Sequence, residues 1–159
     1  MPAPAAGSLR SSDPDETRAI GHALGRLAHP GTVLALHGEL GAGKTQLAKG
    51  VAQGLGVTSV VNSPTFVLMN EHAGRLRLYH IDGYRLGDPE EGVAAGLLDD
   101  REVDGVTVIE WADRLDGWLP VDRLELHLAP GEGPDDRHIA WRAWGAEHER
   151  LATEALGQP

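Results

Sequence analysis

The 159-residue chain contains no cysteine, which excludes disulfide frameworks, thiolate zinc sites and cysteine nucleophiles. It also lacks any run approaching the roughly 18 apolar residues of a membrane span, and its opening Met-Pro-Ala-Pro-Ala-Ala-Gly has neither a basic patch nor an apolar h-region. The expectation is a cytoplasmic protein with no membrane partner. Positive charge is scarce: Lys plus Arg number 14 against 24 Asp plus Glu, a formal charge of −10. Such a polyanion repels a phosphate backbone, so a broad nucleic-acid-binding face is disfavoured, and any anion site must be local, built from backbone N–H groups and one or two cations. Lysine is scarcer still, with Lys44 and Lys49 the only two. With no Lys beyond Lys49, a guanine-reading Asn-Lys-x-Asp is impossible and an ordinary GTPase is disfavoured. The eight His show no metal-ligand spacing and none neighbours a credible nucleophile, so they read as structural or solvated.

What is present suits one soluble domain: 41% hydrophobic and 24% charged residues in 159 positions, enough for one core. Residues 1–8 and 156–159 read as frayed ends, leaving about 13–156 ordered. Asp13-Pro14-Asp15-Glu16 opens a helix, with Asp13 as cap, Pro14 in the first turn and Glu16 at the capping-box position; His29-Pro30-Gly31 ends it. Thr32–Leu36 is a short apolar run between turn signals, a buried strand. A Gly-rich turn leads to a second helix with Leu47, Val51 and Leu55 on one face. Residues 58–74 read mostly as loop, Leu76–Asp82 as a strand, 88–98 as a short helix, and Val106–Ile109 as a third buried strand. Leu124–Leu128 and His138–Trp144 fit an antiparallel hairpin at one edge, and Ala146–Leu156 a closing helix. Strands alternating with helices imply an α/β layered fold with a mainly parallel sheet.

The Gly-rich turn carries the chemistry. Gly38-Glu39-Leu40-Gly41-Ala42-Gly43-Lys44-Thr45 matches G-x-x-x-x-G-K-[ST] in the required context, between a strand and a helix. Glycines let successive N–H groups converge on one phosphate, and the helix beginning near Lys44 adds its positive dipole end. Lys44 can reach β- and γ-phosphates, and the Thr45 hydroxyl can ligate Mg²⁺. Arg is this chain's default cation, which makes Lys at this position pointed. A nucleotide site of this kind also needs a carboxylate at a neighbouring strand end to hold the metal or orient water. Asp82 and Glu110 both qualify; residue physics alone leaves their order open, with the cleaner apolar run before Glu110 favouring it for the metal. Trp111, following Glu110, should lie at the rim. A Thr in Asn62-Ser63-Pro64-Thr65-Phe66 can sense a γ-phosphate, though Ser-Pro-Thr alone is more often just a turn.

Taken together, His37–Thr45, Asn62–Phe66, Tyr79-His80-Ile81-Asp82-Gly83-Tyr84-Arg85-Leu86 and Val108-Ile109-Glu110-Trp111 resemble the TsaE (YjeE) family of small bacterial P-loop ATPases, which serve threonylcarbamoyladenosine modification of tRNA. The resemblance runs from about Asp13 to Arg142. It implies a three-layer P-loop NTPase fold, with one ATPase domain over residues 1–159 that binds ATP and Mg²⁺. It assigns Thr45 and Glu110 to the metal, and Thr65 and Asp82 to the γ-phosphate and attacking water. Nucleotide contacts are implied from the start of the first helix (Asp13-Pro14) and from a late basic residue, for which Arg137 is the candidate. Gly83 departs from the pattern, standing where the family has a larger apolar residue.

The resemblance further implies action with TsaB and TsaD proteins, meeting tRNA only indirectly through that complex. The residues themselves imply Mg²⁺-nucleotide binding and hydrolysis. Two other classes compete: a P-loop small-molecule kinase, and a non-hydrolysing nucleotide-dependent interaction module. A kinase lid would need arginines, and residues 84–104 offer only Arg85 and Arg101 beside seven acids.

Overall fold

A computed structural model describes residues 3–39, 41–59, 69–83, 104–112 and 119–157. Within them, a seven-stranded sheet and three helices form a mixed α/β fold. The strands are β1 (Ala5–Ser11), β2 (Val33–His37), β3 (Met69–His72), β4 (Leu78–Asp82), β5 (Val106–Glu110), β6 (Arg123–Pro130) and β7 (Arg137–Trp144), and the helices are α1 (Pro14–Leu27), α2 (Lys44–Gly54) and α3 (Ala146–Leu156). The spatial order is β1-β7-β6-β2-β5-β4-β3. The central strands β6, β2, β5 and β4 run parallel to one another. β7 and β1 are antiparallel on one side, and β3 on the other. The expected antiparallel C-terminal edge is therefore present, but both sheet margins are antiparallel and the outermost strand beyond β7 is N-terminal.

That strand corrects the expectation of a frayed 1–8. Small, weakly patterned residues form β1 because β7 supplies a partner along its full length, and Gly7 makes room for an indole: a Cβ there would lie 2.7 Å from the Trp141 ring. β3 likewise replaces expected loop. It is a four-residue polar edge strand whose pairing with β4 decides its conformation. The expected helix at 88–98 and the loop at 62–66 lie outside the described residues.

Alternation along the strands sorts side chains by face. Leu34, Leu36, Leu78, Val106, Val108, Leu124, Leu126, Ile139 and Trp141 share one core with Leu24 of α1, Leu47 and Val51 of α2, and Leu151 of α3. Val33, Ala35, Ile81 and Ile109 belong to a smaller core on the opposite face. All three described helices lie with the larger core; a third layer would have to come from outside the described residues.

α1 begins as its sequence implies, with Asp13 Oδ1 accepting from Glu16 N at 2.8 Å and Glu16 Oε2 accepting from Ser12 N at 2.7 Å. It then presses backbone-close onto α2. A Cβ on Gly21 or Gly25 would lie 2.2 or 2.1 Å from the carbonyl oxygens of Leu47 or Val51, and one on Gly50 or Gly54 would lie 2.1 or 2.2 Å from those of Arg18 or His22. Glycine pairs four residues apart on both helices permit this approach, which brings the start of α1 beside the start of α2.

Candidate functional site

The Gly-rich turn joins β2 to α2, at the edge where β4 and β5 also end. Gly43 caps α2 with φ of 102°, a left-handed conformation that favours glycine. No side chain caps this helix start and its first turn holds no acid, so its N–H groups and positive dipole end suit an anion. Lys44, the first helical residue, is 5% exposed. Its Nζ donates to the carbonyls of Gly38 (2.5 Å) and Glu39 (2.8 Å) and lies 3.8 Å from the centre of a Trp111 ring. Trp111 takes φ of 57°, a left-handed backbone costing about 1 kcal/mol for a bulky residue. This turn follows immediately after β5, at the site's rim as the sequence implied.

Beneath the loop lies a buried polar chain. Thr45 Oγ1 donates to Glu110 Oε1 at 3.0 Å, and His80 Nε2 lies 2.5 Å from Glu110 Oε2. Glu110 is 2% exposed and His80 fully buried. Among the described residues His80 Nδ1 has no hydrogen-bond partner, so Nε2 is the ring nitrogen that meets the carboxylate. Asp82 stands level with Glu110 in the parallel register and is also buried. Strand alternation places Leu78, His80 and Asp82 on the face that α2 covers. Gly83 closes this corner: a Cβ there would lie 2.6 Å from the Trp111 carbonyl oxygen, so a larger residue would push the ends of β4 and β5 apart.

Pro14, Gly41, Gly43, Lys44, Thr45, Glu110, Trp111 and Arg137 line a single cleft of about 320 Å³. Thus the structure brings together most of the sequence-derived set, from four separate segments. Arg137, at the start of β7, donates to the carbonyl of Gly41 at 3.0 Å and to those of Pro134 and Asp136. Gly38 and Glu39 line a neighbouring cavity, while Ala42 and Asp82 are buried and do not line the cleft. Leu40 and Thr65 lie outside the described residues. Sequence reasoning passed over Thr17, Gln46 and Asp135, which also line the cleft, and His80, which it took as structural or solvated. Position 80 did carry a signal, alternating with Leu78 and Asp82.

An α/β sheet with a glycine loop, a lysine-led helix and strand-end acids at one edge defines the class. Comparison with known proteins narrows it. A family model described as "Threonylcarbamoyl adenosine biosynthesis protein TsaE" matches residues 11–139. The tRNA threonylcarbamoyladenosine biosynthesis protein TsaE of Bacillus subtilis (strain 168) is 43% identical over 146 residues, covering 91% of this chain and 90% of the relative. Its namesake in Streptomyces coelicolor is 39% identical over 142 residues, covering 86% and 94%. Among solved structures, the crystal structure of Bacillus subtilis YdiB superposes with a TM-score of 0.80 at 35% identity, covering 98% of this chain and 97% of that one. The chain belongs to the TsaE family, whose members take part in threonylcarbamoyladenosine biosynthesis. No helix among its described residues is long and apolar enough to cross a membrane.

Proposed function

We propose that the protein is a P-loop ATPase that binds ATP with Mg²⁺, hydrolyses it, and acts with TsaB and TsaD in the threonylcarbamoyladenosine modification of tRNA. The observation that carries the reading is the convergence of Lys44, Thr45 and Glu110 at an uncapped helix start inside one cleft. The donor set fits the metal: a hydroxyl and a carboxylate oxygen 3.0 Å apart are hard ligands of the kind Mg²⁺ prefers. Thr45 and Glu110 would hold Mg²⁺ there, and the ion would supply positive charge against that of the phosphates.

The chain's own residues then divide the work. The N–H groups at the start of α2 bind phosphate oxygens, and Lys44 Nζ exchanges its two loop carbonyls for them. His80 fixes the Glu110 carboxylate from behind, so that Oε1 faces Thr45. Asp82 orients the water that adds to the γ-phosphorus as the bond to the β–γ bridging oxygen breaks, giving ADP and phosphate. Arg137 and Pro14 flank the nucleotide, and Thr65 reports the γ-phosphate.

Nothing in the sequence marks a dedicated arginine finger, a group that contributes ~10³–10⁵ in rate. Slow turnover by the isolated chain is therefore expected, and the charge of −10 argues against tight tRNA binding on its own. The test measures phosphate release and tRNA binding by the purified chain, then with TsaB and TsaD added. Slow release that changes with the pair supports the reading. Release that needs a small-molecule acceptor favours a kinase, and none under any condition favours a binding module.

A further inference from the structure

The sheet face opposite α2 holds a second concentration of ionisable groups. β2 and β6 are parallel neighbours, and their register sets His37 directly beside His127. Glu125, two residues before His127, points to the same side by strand alternation. Glu125 Oε1 lies 3.0 Å from His127 Nε2 and 3.9 Å from His37 Nε2, and the three ligand atoms all fall within 4.8 Å of one another. The other carboxylate oxygen is already taken: Arg123 Nε donates to Glu125 Oε2 at 2.7 Å, which fixes the carboxylate plane and leaves Oε1 to the histidines. These contacts hold the Glu125 carboxyl below its ordinary range against the opposing effect of burial. A cavity of about 550 Å³ opens over the group, also lined by Trp111 and Trp144.

We propose that His37, Glu125 and His127 form a binding site for a divalent transition metal of the zinc class, separate from the Mg²⁺-nucleotide cleft. Two ligands spaced i, i+2 on one strand and a third on its neighbour project from one sheet face as a three-point set, and the cavity leaves a fourth position to water. Two imidazoles and one carboxylate suit Zn²⁺ and discriminate against Mg²⁺, which prefers all-oxygen ligation. The imidazoles stack, with centroids 4.2 Å apart and planes 8° from parallel. Capture of the ion therefore requires one ring to turn, and His127, whose side chain is 36% exposed against 9% for His37, has the room. The sequence hid this site because its histidines lie in distant segments and only the register brings them together.

The test titrates Zn²⁺ against the nucleotide-free full chain in excess Mg²⁺, by calorimetry and by competition with a chromophoric chelator. Co²⁺ absorption then reports the geometry. The expected result is one Zn²⁺ per chain that Mg²⁺ does not displace, with affinity falling at least about 10-fold in His127→Asn and again in Glu125→Gln. His37→Asn provides an independent check, and circular dichroism confirms that each variant is folded. No Zn²⁺ binding to the wild type, or binding that folded His127→Asn and His37→Asn variants retain in full, overturns the proposal.

Discussion

Glu110 and Glu125 flank the same strand. One stands opposite Leu36 and the other opposite Ala35 along β2, so a single residue of register sends them to opposite faces of the sheet. Both are nearly inaccessible, at 2% and 6% exposure, and both touch a histidine. Burial does not tell them apart; their other partners do. Glu125 is met by a guanidinium, which balances its charge on the spot. Glu110 is met by the hydroxyl of Thr45, at the head of a helix that offers N–H groups and an ammonium to an anion. A buried carboxylate beside a hydroxyl at the head of a helix suits a metal carried in with phosphate. One paired with arginine and two imidazoles stabilises its surroundings and suits a softer ion.

The largest effect that would break this contrast lies on the α2 side. Lys44→Ala should cut ATP turnover by about 10²–10³-fold while leaving the circular dichroism spectrum intact. Asp82→Asn should lower the rate by about 10²-fold with nucleotide affinity retained, the pattern of a contact used in the transition state. Loss of affinity with an unchanged rate would transfer its role to ligand binding. Next comes the helix contact that delivers Pro14 and Thr17 to the cleft. Gly50→Val must force α1 away from α2 and should cost about 3 kcal/mol in urea denaturation, because even a Cβ would stand 2.1 Å from the Arg18 carbonyl oxygen.

A pH effect of similar size originates elsewhere on the helix-covered side. His148 accepts a hydrogen bond from the Val33 N–H at 3.0 Å and must be neutral at Nε2 to do so. Burial, with His29 nearby, lowers its pKa to about 4, against the opposing pull of Asp122 and Glu147. The unfolded chain takes up this proton near pH 6.5, so between there and pH 4 it binds more protons than the native state. The contribution is complete above that window and is lost as pH falls through it, by roughly 3 kcal/mol. Denaturant titrations from pH 7 to pH 4.5 should show this slope, flattened in His148→Gln. The smallest effect belongs to the face opposite α2: Arg142→Gln, at an exposed position of β7, should move stability by no more than about 0.5 kcal/mol.

The parts legible in the sequence were those governed by local rules. The box around Asp13 and Glu16, the apolar runs of β2 and β5, and the loop from Gly38 to Thr45 each announce themselves within a few residues. The acids at the ends of β4 and β5 were legible for the same reason. β1 was not, because its residues acquire strand character only against β7 and its Gly7 has meaning only under the Trp141 ring. Arg137 needed the family resemblance, since nothing near it in sequence points to a loop that the fold brings alongside. His80 and the cluster of His37, Glu125 and His127 depend on cross-strand register, which a single sequence does not display.

The central claim is that Glu110 and Thr45 hold the metal through which nucleotide is bound at α2, and calorimetric titration of ATP into the wild type and Glu110→Gln, each with Mg²⁺ and with a chelator, tests it most directly. The account predicts one ATP per wild-type chain, weakened when Mg²⁺ is removed, and an equally weak Glu110→Gln variant that gains little from restoring the metal. A folded Glu110→Gln variant that keeps the full Mg²⁺ dependence of ATP binding would contradict it.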